Sequence, residues 1–233
     1  MGVAGKAEHG GLINLVQIEH VHSSHPKIAD TVLQSALLNY TGVYPMFSSN
    51  RLTLRSVGQE DLPIFHQWWG DPEIMALQTD GDIRLRHETT NVMMFDHWFR
   101  DGGSDVGFSI ELSETGQLIG FTNVWGAQLK NRSAELGIML DKDFWNCGYG
   151  TEAMHVIVRY VFAELNFHRL QLTVRDYNQR AQRVYSKVGF QVTGRLRQIN
   201  FRNGRWHDDL VMDLLQDEYL AAHGAYPSSP TMP

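Results

Sequence analysis

The chain has 233 residues, enough for one substantial core or one domain with an extension, and its 42% hydrophobic content suits a soluble globular protein. Its 20 Lys+Arg against 26 Asp+Glu leave a formal charge of -6, which weighs against a nucleic-acid partner and fits a cationic small substrate. A single cysteine, Cys147, excludes an internal disulfide, no apolar run approaches the roughly 20 residues of a membrane span, and Met1 to Gly11 lacks signal-peptide character, so a cytoplasmic protein with no membrane partner is expected.

Residues 1 to 47 differ in pattern from the rest of the chain. An apolar run from Leu12 to Ile18 suggests a strand, and Ile28, Val32 and Ala36 recur at helical spacing after Pro26. His20-X-His22 places two imidazoles on one strand face with His25 close by, but no third and fourth ligand is evident, so structural or solvent-facing histidines are expected and no metal. This extension either packs on the domain or serves as a partner-binding arm.

From Arg51 the pattern sharpens. Leu52 and Leu54 alternate with polar residues as in a strand, and Leu62, Phe65 and Trp69 mark a helical face that Asp71-Pro72 breaks. A second helical turn is expected through Ile74 to Leu77, and a third helix carries Val92, Phe95 and Phe99 before Gly102-Gly103. Trp68, Trp69 and Trp98 are read first as core, with a substrate-pocket wall as the alternative. Three strand-like runs come next, Val106 to Leu112, Leu118 to Trp125 and Ala134 to Leu140, and their short connections imply antiparallel neighbours.

Beyond them, Trp145-Asn146-Cys147 leads into Gly148-Tyr149-Gly150-Thr151-Glu152-Ala153 and a helix whose face is Met154, Ile157, Val158, Val161 and Leu165. Glycines in the turn before a helix leave backbone N–H groups uncovered, and with the helix's positive end these attract phosphate. Leu170 to Val174 is a strand, completing one crossover unit. Asn178 to Val188 is a helix with Ala181, Val184, Tyr185 and Val188 inward and Gly189 as a left-handed cap. Asn203-Gly204 between Val192 to Arg202 and Trp206 to Leu214 asks for a type I′ hairpin. Arg195, Arg197, Arg202 and Arg205, the notable basic cluster, are compatible with a solvated strand face. A terminal helical turn and a tail from Tyr226 to Pro233 close the chain. The expected division is 1–47 extension, 48–222 domain and 223–233 tail.

Gly-X-Gly-X-X-Ala also fits a dinucleotide fingerprint, with Asp176 near the position of the ribose-binding acid. That fingerprint comes after the first strand of a serial parallel sheet, whereas here antiparallel strands precede the glycines and a hairpin lies beyond them.

The run Ala134-Glu135-Leu136-Gly137, then Gly148 to Ala153, then Asn178 with Ala181, Tyr185 and Gly189-Phe190, resembles the GNAT (Gcn5-related) acetyltransferases, and within them the branch of ribosomal-protein N-terminal and spermidine acetyltransferases. The likeness spans about Arg51 to Tyr219, from Arg51-Leu52-Thr53-Leu54-Arg55 to the hairpin ending in Asp209-Leu210-Val211-Met212. Such enzymes often begin the glycine turn with Gln or Arg, which this chain replaces with Trp145-Asn146-Cys147. The resemblance implies an α+β (mixed α/β) fold, a mostly antiparallel sheet of six to seven strands flanked by helices, with one βαβ crossover at the acetyl-CoA site.

The resemblance further implies that an acetyl group moves from acetyl-CoA, as co-substrate, directly to a primary amine of a small molecule, polyamine or protein N-terminus. Backbone N–H groups of Asn146, Cys147, Gly148, Tyr149, Gly150 and Thr151 would hold the pyrophosphate, and the edge of Ile138, Met139 and Leu140 the pantetheine, aided by Asn178. Tyr185 is the expected acid, since a phenol of reference pKa about 10 is protonated at neutral pH, with a core tyrosine on the apolar helix face as its plain alternative. Glu135 is the expected base, with a solvated strand position as its plain alternative. Trp69, Asp71, Glu73, Asp208 and Asp209 are candidates for gripping the amine, although Asp71 is equally a helix-stopping turn and Asp208-Asp209 could merely flank a strand. A homodimer is compatible with this reading, and a non-catalytic acyl-CoA-binding or interaction module is its rival.

Overall fold

The computed structural model of the protein describes residues 45–79, 81–84, 87–99 and 105–224. The chain divides into two compact units, Met1–Pro45 and Met46–Pro233. The strand and helix expected before Pro45, the three histidines, Gly102-Gly103 and the tail from Tyr226 lie outside the described residues.

Strand β1 (Leu52–Ser56) leads to helix α1 (Leu62–Trp69), and Asp71 then caps α2 (Pro72–Gln78), its carboxylate accepting from Glu73 and Ile74 N–H at 2.8 and 3.3 Å. Helix α3 (Glu88–Phe99) precedes β2 (Val106–Leu112), β3 (Leu118–Gln128) and β4 (Ser133–Leu140). The remainder runs α4 (Tyr149–Ala163), β5 (Arg169–Arg175), α5 (Gln179–Val188), β6 (Gln191–Arg202), β7 (Arg205–Leu215) and α6 (Gln216–His223). Asn203 and Gly204 both take positive φ, 51° and 75°, as a type I′ turn demands. Gly189 caps α5 in the left-handed region at φ 115°.

The seven strands lie in the order β1-β2-β3-β4-β5-β7-β6. Every neighbouring pair is antiparallel except β4 with β5, which α4 joins as the crossover. Helix α4 carries Thr151, Glu152, His155 and Arg159 on one side and buries Ala153, Met154, Val156, Ile157, Val158, Val161 and Phe162 in one core with Leu52, Ile110, Leu136, Leu170 and Met212. A second core gathers Leu62, Phe65, Trp68, Trp69, Ile74, Met75 and Phe95 with Phe121 and Met139. Each such large side chain, fully buried, contributes about 1.5–3 kcal/mol. Trp68 and Trp69 are therefore core, while Trp98 remains 38% exposed and touches Trp69 edge-on.

One polar network ties the start of α1 to the sheet. Asp61, 1% exposed, accepts from Arg55 Nη1 and Nη2 at 2.6 and 2.8 Å, from Ser109 Oγ at 2.7 Å and from Gly58 N–H at 2.9 Å. Burial alone would raise its pKa, but these hydrogen bonds and the Arg55 charge outweigh it and hold the carboxyl below its usual range. The lowered folded pKa means that this stabilisation is complete above the unfolded carboxylate range and is lost as pH falls through the folded value. Asp61→Ala leaves Arg55 without its main partner and is expected to cost about 3 kcal/mol, measured as the wild-type minus variant difference in urea unfolding at pH 7. That difference should shrink in acid as Asp61 of the wild type becomes protonated.

Candidate active site

The candidate cleft begins where β4 and β5 part. Their parallel pairing runs only through Ser133↔Arg169, Ala134↔Leu170 and Glu135↔Gln171. Across the other edge of β4, Asp141 N–H bonds Ile119 O in the β3 pairing, and Met139 and Gly137 continue the same alternation. Ile138 and Leu140 therefore turn their main-chain groups to the edge that β5 has left. Two carbonyls there are met by side chains, Ile138 O by Gln78 Nε2 at 3.1 Å and Leu140 O by Trp145 Nε1 at 2.7 Å.

Helix α4 starts at the mouth of this opening. Gly148 is its N-cap at φ 86°, preceded by Asn146 at φ 62°. The first intrahelical bond runs from Glu152 N–H to Gly148 O, so the N–H groups of Tyr149, Gly150 and Thr151 have no helical acceptor. Glu152 braces this turn: its carboxylate accepts from Ser49 Oγ at 2.7 Å and Arg51 Nε at 2.7 Å, while Arg51 Nη1 reaches Cys147 O at 3.2 Å. The Arg51 guanidinium also lies 4.4 Å over the Tyr149 ring. Cys147 and Tyr149 thus belong to the back of the turn, not to its cavity surface.

A cavity of about 500 Å³ fills the opening. It is lined by Ile138, Met139 and Leu140 of β4, by Asn146, Gly148, Gly150 and Thr151 of the turn, and by Asn178 and Tyr185 of the α5 segment, together with Glu135. Asn178 Oδ1 accepts from Ala181 N–H at 3.1 Å and so caps α5. Tyr185 is 7% exposed, its hydroxyl bonds no described residue, and burial pushes the phenol up to about 12. Glu135, half-buried, makes no ion pair with a described residue.

The residues expected to grip the amine are not gathered in this cavity. Trp69 is buried against Phe95 and Trp98. Asp71 caps α2 and pairs with Lys142 at 2.6 Å, which holds its carboxyl below the usual range. Asp208 pairs with Arg195 at 2.7 Å, and Asp209 is buried with Arg175 and Asn200. Glu73 lines a neighbouring cavity instead.

Among the cavity residues that escaped the sequence reading, Arg180, Arg183 and Lys187 of α5 carry charge, as does Arg175 of β5. Arg180, Arg183 and Lys187, spaced by three and four, form one helical stripe beside the apolar face, and that stripe was the available signal. Arg180 lies 3.3 Å over the Trp145 ring. A row of strand-edge amide groups, a helix N-terminus and a cationic stripe suit a ligand that joins an amide-bearing arm to phosphates, which is the build of CoA.

Residues 51–191 match the family model of the acetyltransferase (GNAT) domain. The chain belongs to the GNAT acetyltransferases. It is 29% identical over 174 residues to an uncharacterised N-acetyltransferase, p20, of Bacillus licheniformis, covering 73% of this chain and 96% of that protein. Spermidine N(1)-acetyltransferase of Escherichia coli is 28% identical over 178 residues, 76% of this chain and 93% of that one. The crystal structure of spermidine N-acetyltransferase from Vibrio cholerae in complex with CoA and spermine superposes with a TM-score of 0.67 at 26% identity, covering 74% of this chain and 99% of that chain. This GNAT protein is accordingly an acetyltransferase that uses acetyl-CoA and transfers the acetyl group to an amine.

The glycine turn makes a sharp expectation. A methyl group at Gly148 would meet Arg51 Nη2 at 3.3 Å in a left-handed backbone, a conformation that costs a non-glycine residue about 1–2 kcal/mol. At Gly150 the methyl would meet Leu140 and Val184 at an ordinary 3.6 Å. Gly148→Ala is expected to lower the melting temperature and weaken CoA binding in calorimetric titration, whereas Gly150→Ala keeps the melting temperature of the wild type.

Proposed function

We propose that this GNAT enzyme acetylates a primary amine directly, through a ternary complex, with Glu135 as base and Tyr185 as acid. The observation that carries the reading is that both side chains line one cavity with the open β4 edge and the start of α4. Acetyl-CoA, when bound, supplies the thioester that the amine attacks. Main-chain groups at Ile138 and Leu140 bind and orient its arm, and the N–H groups at Gly150 and Thr151 bind its phosphates, with Arg183 and Lys187 as added charge.

The residues then account for each proton. Glu135 takes the proton that the amine loses as its nitrogen bonds the acetyl carbon. Tyr185 gives its proton to the sulfur as the carbon–sulfur bond breaks. Burial suits Tyr185 to this task, because a phenol raised to about 12 stays protonated across neutral and mildly alkaline pH. Small amines, polyamines and protein N-termini all present a suitable nucleophile, and the spermidine acetyltransferase relatives support the small-amine end of that range.

Steady-state kinetics with an amine panel tests these roles. Tyr185→Phe is expected to lower kcat by about 10²-fold with little change in the KM for acetyl-CoA, and the wild type should show no alkaline loss from this group below about pH 11. An unchanged kcat would assign Tyr185 to packing alone, and tight acetyl-CoA binding with no turnover on any amine would favour the non-catalytic module.

For Glu135→Gln the pH profile is the sharper readout. Loss in kcat/KM should be greatest where the amine is protonated and should narrow as pH approaches the amine's own pKa. A loss that is uniform across pH would place the base elsewhere.

A further inference from the structure

A second cavity, of about 450 Å³, adjoins the first and shares Leu77, Asn178 and Arg180 with it. The β6–β7 hairpin contributes Arg202, Asn203 and His207 to its lining, and α2 contributes Glu73. Arg202 is only 9% exposed. Its Nη2 donates to the carbonyls of Thr79 and Gly81 at 3.0 and 3.1 Å, its buried Nε has no acceptor, and no carboxylate among the described residues pairs with it. Two neutral carbonyls fix the guanidinium without cancelling its charge, and a buried charge left in that state is costly until an anion meets it.

The other charges do not supply that anion. Glu73 is the single carboxylate among the described lining residues; it is largely exposed and sits 3.5 Å from Lys142. His207 Nδ1 is 3.2 Å from Asp176 Oδ1, which lies outside the lining, and Arg180 adds a second guanidinium. Such a lining is a poor match for a polycation and a good one for an anion.

We propose that this cavity holds a carboxylate of the acceptor, with Arg202 as its specificity-determining residue, so that the acceptor is an amine that also carries a carboxylate. This rests on the acetyl-transfer reading above and narrows its acceptor class. The carboxylate belongs either to a free amino acid or to a peptide, and matched acceptors separate the two.

The test measures kcat/KM with acetyl-CoA for lysine against cadaverine, which differ by the α-carboxylate, and for a peptide amide beginning with Glu against the same peptide beginning with Gln. Spermidine serves as the polycation control. A preference of roughly tenfold or more for lysine assigns a free amino acid, and one for the Glu peptide assigns a peptide. Arg202→Met should bring the preferred ratio towards one. Because Arg202 also bonds the Thr79 and Gly81 carbonyls, Asn203→Asp is the second variant: at φ 51° an aspartate is tolerated, and its carboxylate competes for the same charge.

Turnover in which cadaverine, the Gln peptide or spermidine matches or outranks the carboxylate-bearing acceptors overturns this proposal and leaves the transferase reading standing. A preference that both variants retain in full overturns the assignment to Arg202. No turnover on any amine, with acetyl-CoA bound, overturns the transferase reading and this proposal with it.

Discussion

The parting of β4 from β5 after Glu135 and Gln171 is the constraint on which the site depends. Two parallel strands that stayed paired would satisfy each other's main-chain groups and leave no room between them. Because they separate, the Ile138 and Leu140 groups need other partners, and Gln78 and Trp145 meet only their carbonyls. The opening therefore creates both the space and two N–H donors, at Ile138 and Leu140, without a partner among the described residues, and α4, which must cross between the same two strands, brings its N-terminus to the mouth. Cavity, open strand edge and exposed helix start are three results of one departure from regular pairing.

The surrounding structure is braced to keep that departure fixed. Arg51 and Glu152 hold the glycine turn from behind, while Arg55 and Asp61 fix α1 to β1 and β2. The Asp71–Lys142 pair links the cap of α2 to the short turn after β4. Along the two cavities the basic groups Arg180, Arg183, Lys187 and Arg202 stand beside the carboxylates Glu135 and Glu73.

Much of this was legible in the sequence because local signals and tertiary structure agree. Leu52 and Leu54, the periodic face of α4, the Asn178 and Gly189 caps and the Asn203-Gly204 turn each specify their element through short-range physics. The glycine turn was legible from its residues, whereas Glu135 and Tyr185 were singled out only through the family resemblance. What was not legible depends on which way a polar side chain faces. Along β6 the alternation is inverted near the turn: Ile199 and Phe201 are exposed while Asn200 and Arg202 are buried. A register shift between Leu196 and Asn200, with Gln198 at φ 52°, lies just before that stretch and has no signature in residue type. Arg202 was consequently read with Arg195 and Arg197 as a solvated stripe. Asp71, Asp208 and Asp209 were ambiguous for a related reason, since an acid beside a turn or strand end has the same sequence whether it caps a helix, pairs with an arginine or waits for a ligand.

Amide hydrogen exchange with and without acetyl-CoA, resolved to single residues, tests the central claim most directly, because the open edge of β4 and the start of α4 are assigned as the co-substrate's main-chain partners. Acetyl-CoA should slow exchange at Ile138, Leu140, Gly150 and Thr151, with Met139, already paired to β3, little changed. Binding that leaves those four amides unprotected, or that protects a different edge of the sheet, would contradict the account.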